Sequence, residues 1–265
     1  MNERSGHADE PCVLVTYDDV TASITMNRPG RRNALSHEML RALLDAFAKV
    51  GASDALAIVL AGAGPVFSAG HDFADLVDAD EAGARAMLQT CADLMALMHE
   101  VPQPVVARVH GLATAAGCQL VANADLAVAA DVAGFAAPGG KGGWFCHTPM
   151  VPIARNIGRK RAMELALSGD VIDAPTALAW GLVNDVVPLA ELDAAVAGLV
   201  ARVTRGSADS KASGKRTLYE QMELPEPTAY PIALDVMAAT SQSEDAKEGM
   251  RAFLEKRAPR WSRGR

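Results

Sequence analysis

The sequence predicts an α/β protein, because strand and helix patterns alternate along its first half. The stretch ALAIVLAG (55–62) is apolar without interruption, which is typical of a strand buried on both faces. The segment 80–100 instead repeats apolar residues at helical spacing: Met87, Cys91, Leu94, Met95 and Met98. Alternation of these two patterns is the signature of a layered α/β core.

The N-terminal part predicts a hairpin followed by a helix. Residues 12–17 and 22–27 are short and rich in β-branched side chains, and the turn residues Asp18–Asp19 separate them, so we expect an antiparallel pair. Ser36 is a suitable N-cap for a helix that ends near Gly51. These elements precede the buried strand.

The middle of the chain continues the alternation. Residues 66–73 (VFSAGHDF) run from a strand into a turn that contains glycine. Residues 104–111 and 125–131 read as strands, and the segment between them, from 113, begins a helix. From residue 150 onward helical spacing dominates, and residues 208–257 are mostly helical with one polar face.

Composition excludes several classes of protein. A chain of 265 residues can bury about 70–75% of its unfolded surface, so it needs no disulfides for stability. The four cysteines are scattered without a CxxC pair, which argues against a disulfide framework or a zinc site. A net charge of -7 argues against general nucleic-acid binding. We expect neither a metal nor a nucleic-acid partner.

The first residues and the hydropathy pattern bear on the compartment. The start MNERSGHADEP is polar and acidic, without the apolar segment of a signal peptide or the arginines of a transit peptide. No apolar run approaches the ~20 residues of a membrane span. We therefore expect a cytoplasmic protein with no membrane partner.

Two short segments share a design that suggests chemistry. FSAGHDF and TAAGCQL each place small residues and a glycine where a strand gives way to a helix. A helix start leaves backbone N–H groups unpaired and carries a partial positive charge. Two such N–H groups that converge on one oxygen would form an oxyanion hole.

The longer motifs around these segments resemble a known family. NRPGRRNAL, VFSAGHDFADL, HGLATAAGCQLVANADLAVAAD, FAAPG and AMELALSGDVIDAPTALAWGLVNDVV together resemble the crotonase superfamily, also called the enoyl-CoA hydratase/isomerase family. The resemblance extends from about residue 12 to residue 257. FSAGHD, AAGCQLVA and WFCHTP are similar to one subgroup, enoyl-CoA hydratase domain-containing protein 3.

The resemblance implies a fold and a domain organisation. It implies a spiral of repeated ββα turns followed by a C-terminal helical trimerisation region. The spiral core would span residues 12–200 and the helical region residues 201–265, after a flexible tail at 1–11. The protein would assemble as a homotrimer or a dimer of trimers.

The resemblance also implies the ligand. Family members bind acyl-CoA thioesters, with coenzyme A as part of the substrate rather than as a separate cofactor. The two oxyanion donors fall on the backbone N–H groups of His71 and Ala116, and the His71 imidazole would cover the pocket floor. Six further positions match contacts to the coenzyme A portion: Ala34, Ala69, Asp72, Phe73, Phe253 and Lys256. Asp72 is interpreted as a hydrogen-bonding residue at a helix start rather than as a base.

Two positions depart from the family pattern. Family hydratases hold a water between two glutamates, and these fall at Gln119 and Gly139. An amide can orient a water but cannot take its proton, and glycine can do neither. Because a positioned acid or base typically contributes ~10²–10⁴ in rate, we expect weak hydration.

A histidine could transfer protons in place of the two missing glutamates. His147 follows Gly139 at the offset where dienoyl isomerases and dehalogenases of the superfamily place a catalytic aspartate, and an imidazole can transfer protons near neutral pH. The adjacent Cys146 is not expected to form a dyad with it, because neighbouring side chains usually point apart. Three functions remain open: a weak hydratase, an isomerase, thioesterase or other lyase that uses His147, and a non-catalytic acyl-CoA-binding protein.

Overall fold

Two β-sheets organise the protein, whose computed structural model describes residues 10–262. The larger sheet has the order β1-β2-β3-β5-β7-β10, with β1 and β2 antiparallel and the remaining pairs parallel. The smaller sheet has the order β4-β6-β8-β9, with only β8 and β9 antiparallel. The strands are β1 Val13–Tyr17, β2 Thr21–Met26, β3 Ala57–Gly62, β4 Val66–Ser68, β5 Val105–Val109, β6 Leu112–Thr114, β7 Leu126–Ala130, β8 Gly134–Ala136, β9 Ile172–Asp173 and β10 Asp185–Val187.

Ten helices surround and extend these sheets within the described residues. They are α1 His37–Gly51, α2 Glu81–Glu100, α3 Ala116–Asn123, α4 Met150–Ile157, α5 Arg159–Ser168, α6 Ala174–Trp180, α7 Leu192–Val203, α8 Ala208–Gln221, α9 Glu226–Thr240 and α10 Glu244–Leu254. Within residues 10–262, none of them is long and apolar enough to cross a membrane.

The predicted hairpin and first helix are confirmed. The Asp18 carboxylate accepts hydrogen bonds from the N–H groups of Val20 and Thr21, which closes the turn between β1 and β2. The Ser36 hydroxyl accepts a hydrogen bond from the Met39 N–H at 3.2 Å, so it caps α1 as expected.

The larger sheet is covered on both faces, which explains the uninterrupted apolar run of β3. Ile58 and Leu60 face the main core, which α1 and α2 cover. Ala57 and Val59 face the opposite side and pack against α7. Because successive strand residues point to opposite faces, every position of β3 is apolar.

The smaller sheet was not predicted beyond its first strand. β6, β8 and β9 have only two or three residues each, so they show no periodicity in the sequence. This sheet nevertheless positions both glycine-containing segments: β4 leads into FSAGHDF, and β6 leads into α3.

The predicted limit at residue 200 lies inside α7, which packs on the larger sheet and ends at Val203. Helices α8, α9 and α10 then form the C-terminal region. The predicted flexible tail, apart from its last two residues, lies outside the described part of the chain.

A largely buried ion pair attaches α8 to the core. The Lys215 ammonium lies 2.7 Å from the Asp125 carboxylate and donates hydrogen bonds to the carbonyls of Met98 and Gln103. The Tyr219 hydroxyl donates to the same carboxylate at 2.7 Å. Burial lowers the Lys215 pKa, and the neighbouring Asp125 opposes that shift by favouring the charged ammonium.

Removal of the buried ammonium should destabilise the protein strongly. Lys215→Met leaves the Asp125 carboxylate without its counter-ion, and the loss of one partner of a buried pair typically costs ~3–5 kcal/mol. The matched control is Lys141→Met, which breaks the exposed pair with Asp170 and should cost at most ~1 kcal/mol. Urea unfolding at one protein concentration measures both, and equal losses would contradict a structural role for the buried pair.

Candidate active site

The two glycine-containing turns touch at backbone distance. A Cβ on Gly70 would lie 2.9 Å from the Thr114 carbonyl oxygen and 3.1 Å from the Ala116 nitrogen. Gly70 also has a φ of 84°, which disfavours other residues. A Cβ on Gly117 would lie 2.4 Å from the Ser68 carbonyl oxygen. Side chains at these positions would therefore separate the two turns.

The two predicted oxyanion donors, the backbone N–H groups of His71 and Ala116, belong to these two turns. Leu35 pairs with the chain on both sides of His71, because its N–H donates to the Gly70 carbonyl and its carbonyl accepts from the Asp72 N–H. Ala116 is the first residue of α3, where N–H groups lack partners inside the helix. Within residues 10–262, neither the His71 N–H nor the Ala116 N–H donates to another backbone carbonyl.

Ala115, between β6 and α3, has a strained backbone. Its φ of 49° and ψ of -120° are rare for a residue with a side chain, and such conformations cost ~1–3 kcal/mol. Its N–H donates to the Ala136 carbonyl at 2.9 Å, and the neighbouring Thr114 hydroxyl donates to the Ala69 carbonyl at 3.1 Å. These bonds hold the turn that presents the Ala116 N–H.

A cavity of about 100 Å³ lies beside the turns; we call it the front cavity. Five of the eleven predicted site residues line it: Ala69, His71, Phe73, Gly139 and His147. Ala116, Gln119 and Asp72 do not, and Trp144 and Ala115 are among the lining residues that sequence reasoning missed. Ala34 directly precedes the bridge residue Leu35 and does not line the cavity. Phe253 and Lys256 lie at the end of α10, and neither lines the cavity of its own chain.

The His71 imidazole is buried and uncharged near neutral pH. Burial holds the pKa of His71 below its usual value, because desolvation disfavours the charged ring. Both ring nitrogens are buried, and the nearby Leu35 backbone only partly opposes the effect of burial on the pKa of the ring. The ring centroid lies 6.4 Å from that of Trp144. This placement suits a ring that covers the cavity wall.

The Asp72 carboxylate is occupied by structural contacts. One oxygen accepts a hydrogen bond from the Ala74 N–H at 3.0 Å and caps the short helical turn Phe73–Asp75. The other lies 2.8 Å from the Arg31 guanidinium. The side chain therefore acts as the hydrogen-bonding residue that was expected at this helix start.

The two positions that lack glutamate differ in their surroundings. A Cβ on Gly139 would lie 2.2 Å from the Trp144 carbonyl oxygen and 2.7 Å from the Cys146 sulfur, so the loop after Gly139 fills the space of a side chain. Gln119 is 3% exposed, and its amide oxygen lies 3.9 Å from the Cys91 sulfur. A carboxylate at position 139 would require this loop to move.

Cys146 and His147 face different surroundings. Cys146 is buried beside Gly139, and burial raises the pKa of its thiol, so the thiolate is disfavoured. His147 is exposed at the cavity, and its ring centroid lies 5.0 Å from that of Phe145. A protonated, buried thiol is a poor nucleophile, which agrees with the expectation that the two do not act as a dyad.

The sheet arrangement and the paired turns define an α/β protein of the crotonase type. The Enoyl-CoA hydratase/isomerase family matches residues 17–264, and the chain belongs to that family. The chain is 41% identical to mouse Enoyl-CoA hydratase domain-containing protein 3, mitochondrial, over 261 residues that cover 97% of this chain and 87% of the relative. The human protein of that name is 40% identical over 246 residues, covering 92% and 81%.

Solved structures agree with this assignment. An enoyl-CoA hydratase from Mycobacterium smegmatis has a TM-score of 0.92 at 41% identity, covering 95% of this chain and 99% of that one. The human enoyl Coenzyme A hydratase domain-containing protein 3 has a TM-score of 0.89 at 38% identity, covering 94% and 100%. The predicted fold class and the subgroup resemblance are confirmed.

The expectation of a cytoplasmic protein is contradicted. The mouse, rat and human relatives all carry the word mitochondrial in their names. The expectation rested on the polar, acidic start of the sequence, most of which lies outside the described residues.

The crowding at Gly139 predicts a sharp difference between two glycines of one loop. Gly139→Ala must displace the Trp144 carbonyl, and overpacking of this kind typically costs ~1–3 kcal/mol. Gly142→Ala is the matched control, because its Cβ would meet nothing closer than 3.7 Å and should change stability by less than ~0.5 kcal/mol. Thermal unfolding compares them, and a Gly139→Ala variant as stable as wild type would show that the position has room for a side chain.

Proposed function

We propose that the protein binds an acyl-CoA thioester and holds its carbonyl oxygen with the backbone N–H groups of His71 and Ala116. The observation that carries this proposal is the backbone contact between the two turns, where neither N–H group has a backbone acceptor within residues 10–262. Membership of the Enoyl-CoA hydratase/isomerase family supports a thioester as the ligand.

Such a pair of donors would stabilise an enolate. An enolate concentrates negative charge on the former thioester oxygen, and each preorganised donor in an oxyanion hole is typically worth ~2.7–4 kcal/mol. The N-terminus of α3 adds a partial positive charge at Ala116. Both donors belong to the backbone, so they need no reorganisation when charge develops.

Hydration by two carboxylates is not supported by the residues present. Gln119 presents a neutral amide, and Gly139 lies against the Trp144 carbonyl with no space for a side chain. The Asp72 carboxylate beside the turn is paired with Arg31. We therefore expect slow hydration of enoyl thioesters.

Contacts to the coenzyme A portion are proposed at two places. Ala34, Ala69, Asp72 and Phe73 lie close to the bridge between Leu35 and His71. Of these, Ala69 and Phe73 line the front cavity. Phe253 and Lys256 would serve the site of a neighbouring copy; Phe253 is 83% exposed, as expected for a residue that awaits a partner. This arrangement requires a trimer or a dimer of trimers.

A second candidate function uses His147. Its imidazole is exposed at the front cavity, on the same wall as Gly139, so it could transfer a proton to or from a bound acyl group. This would make the protein an isomerase, a thioesterase or another lyase. The alternative function without catalysis is that of an acyl-CoA-binding protein. The neutral amide of Gln119 and the lack of a side chain at Gly139 favour it.

Binding distinguishes both candidates from a structural protein. We expect an acyl-CoA such as butyryl-CoA to stabilise the fold, because the thioester oxygen satisfies two donors; at a hundred times its Kd the gain is ~2.7 kcal/mol. The matching free acid lacks the coenzyme A contacts and should give no shift. Thermal unfolding provides the measurement, and the absence of a shift with saturated, unsaturated and aromatic acyl-CoAs would exclude a thioester site.

Turnover separates the enzymatic candidates. Wild type should hydrate crotonyl-CoA slowly, and any thioester turnover should fall by ~10²–10⁴ in His147→Ala if the imidazole transfers the proton. Acyl-CoA binding should persist in that variant, since the backbone donors are untouched. Loss of turnover with retained binding supports the His147 candidate, whereas unchanged turnover excludes it.

Assembly can be tested directly. Helices α8 to α10 expose several large apolar side chains that one chain leaves uncovered: Leu218, Met222, Leu234, Met237, Met250 and Phe253. We expect light scattering at micromolar concentration to give the mass of a trimer or a hexamer. A monomeric mass would contradict the proposed role of Phe253 and Lys256.

A further inference from the structure

A second, much larger cavity lies behind α3; we call it the rear cavity. Its volume is about 1080 Å³, and its walls are the C-terminal half of α2, the end of α3, α4 and α8. Its lining is mainly apolar and includes Met95, Val151, Pro152, Leu218 and Met222. Pockets that hold small molecules typically measure ~300–1,000 Å³, so this cavity can hold a substantial ligand.

The rear cavity adjoins the front cavity. Thr148 lines both of them, and Gln119 lines the rear one. Gln119 lies three residues after the proposed donor Ala116 in α3, so the rear cavity extends close to the proposed thioester site. The front cavity, at about 100 Å³, is too small for a long acyl group. A long acyl group must therefore continue beyond it.

Four of the five charged side chains that line the rear cavity form ion pairs with one another. Lys215 lies 2.7 Å from Asp125, and Arg155 lies 3.2 Å from Glu223. The Lys211 ammonium donates to the Arg205 carbonyl. A charged group that entered the cavity away from Lys211 would lose its hydration without gaining an unpaired counter-ion from these side chains. That part of the cavity therefore suits an uncharged hydrocarbon chain.

We propose that the acyl chain of the thioester passes Gln119 and Thr148 into the rear cavity, and that the ligands are thioesters of long, uncharged acyl groups. This inference rests on the proposed thioester site and adds the substrate class. The neutral Gln119 amide at the passage is compatible with this path, because an apolar chain would have to desolvate a carboxylate there.

Chain length provides the test. Isothermal titration of wild type with butyryl-, octanoyl- and dodecanoyl-CoA below their micelle concentrations should show affinity rising with length. A fully buried methylene tightens Kd up to about fourfold, the equivalent of ~0.8 kcal/mol. Partial burial of the eight methylenes between the first and last ligand should still give about a hundredfold or more. A dodecanoyl chain that ends in a carboxylate should lose most of that gain.

A variant that narrows the rear cavity tests whether the acyl chain lies there. Ala92 is exposed on α2 and lines the rear cavity, so Ala92→Trp should fill part of it without disturbing the core. We expect about a tenfold or greater loss of dodecanoyl-CoA affinity, while butyryl-CoA affinity changes less than about twofold. Ala86→Trp is the matched control, because Ala86 is exposed on the same helix and does not line the cavity; both affinities should be unchanged.

The outcomes separate this inference from the function on which it rests. If no acyl-CoA binds, the proposed thioester site fails. If all chain lengths bind equally, or if Ala92→Trp leaves the dodecanoyl affinity intact, the thioester site stands and the long-chain inference is wrong. If light scattering shows that Ala92→Trp changes the assembly state and spares the length dependence, a neighbouring copy fills the rear cavity, which also overturns the inference.

Discussion

The contact between the backbones of two turns constrains the rest of the site. Gly70 lies against the Thr114 carbonyl and the Ala116 nitrogen, and Gly117 lies against the Ser68 carbonyl. Pairing of β4 with β6 brings these turns together, and the full burial of α3 keeps them there. Ala115, which lies at this contact, adopts a strained backbone conformation. Side chains at Gly70 and Gly117 would not fit between the turns, so the turns themselves present backbone groups there.

The surroundings of the turns are largely uncharged. Burial lowers the pKa of His71, which leaves its imidazole neutral, and burial raises the pKa of Cys118 to about 12. Gln119 is an amide, and the Asp72 carboxylate is paired with Arg31. In a medium of low dielectric constant, two fixed N–H dipoles interact strongly with a developing negative charge. Such a site suits polarisation of a carbonyl more than proton transfer between carboxylates.

Much of the fold could be predicted from periodicity. The stripe of α2, the uninterrupted apolar run of β3 and the Ser36 cap leave clear patterns, because each reflects local geometry and burial. The smaller sheet could not be predicted beyond β4, since strands of two or three residues are too short to show alternation.

The site was only partly predictable, because some of its features depend on how distant segments fold against one another. The family motifs identified His71 and Ala116 as the expected donors. The sequence also showed directly that Gln119 and Gly139 stand where family hydratases have glutamate. The left-handed Ala115 has no marker in the sequence, because alanine rarely adopts that conformation. The crowding of Gly139 by the Trp144 carbonyl depends on how a later loop folds back, which spacing along the chain does not reveal.

Isotope-edited infrared spectroscopy of a bound thioester tests the central claim most directly. An acyl-CoA labelled with ¹³C at the thioester carbonyl would be compared in buffer and in complex with the protein. If the His71 and Ala116 N–H groups both donate to the carbonyl oxygen, the stretch moves to a lower wavenumber than in water, because the C=O bond is polarised. A bound thioester whose stretch stays at or above the value in water would contradict the account.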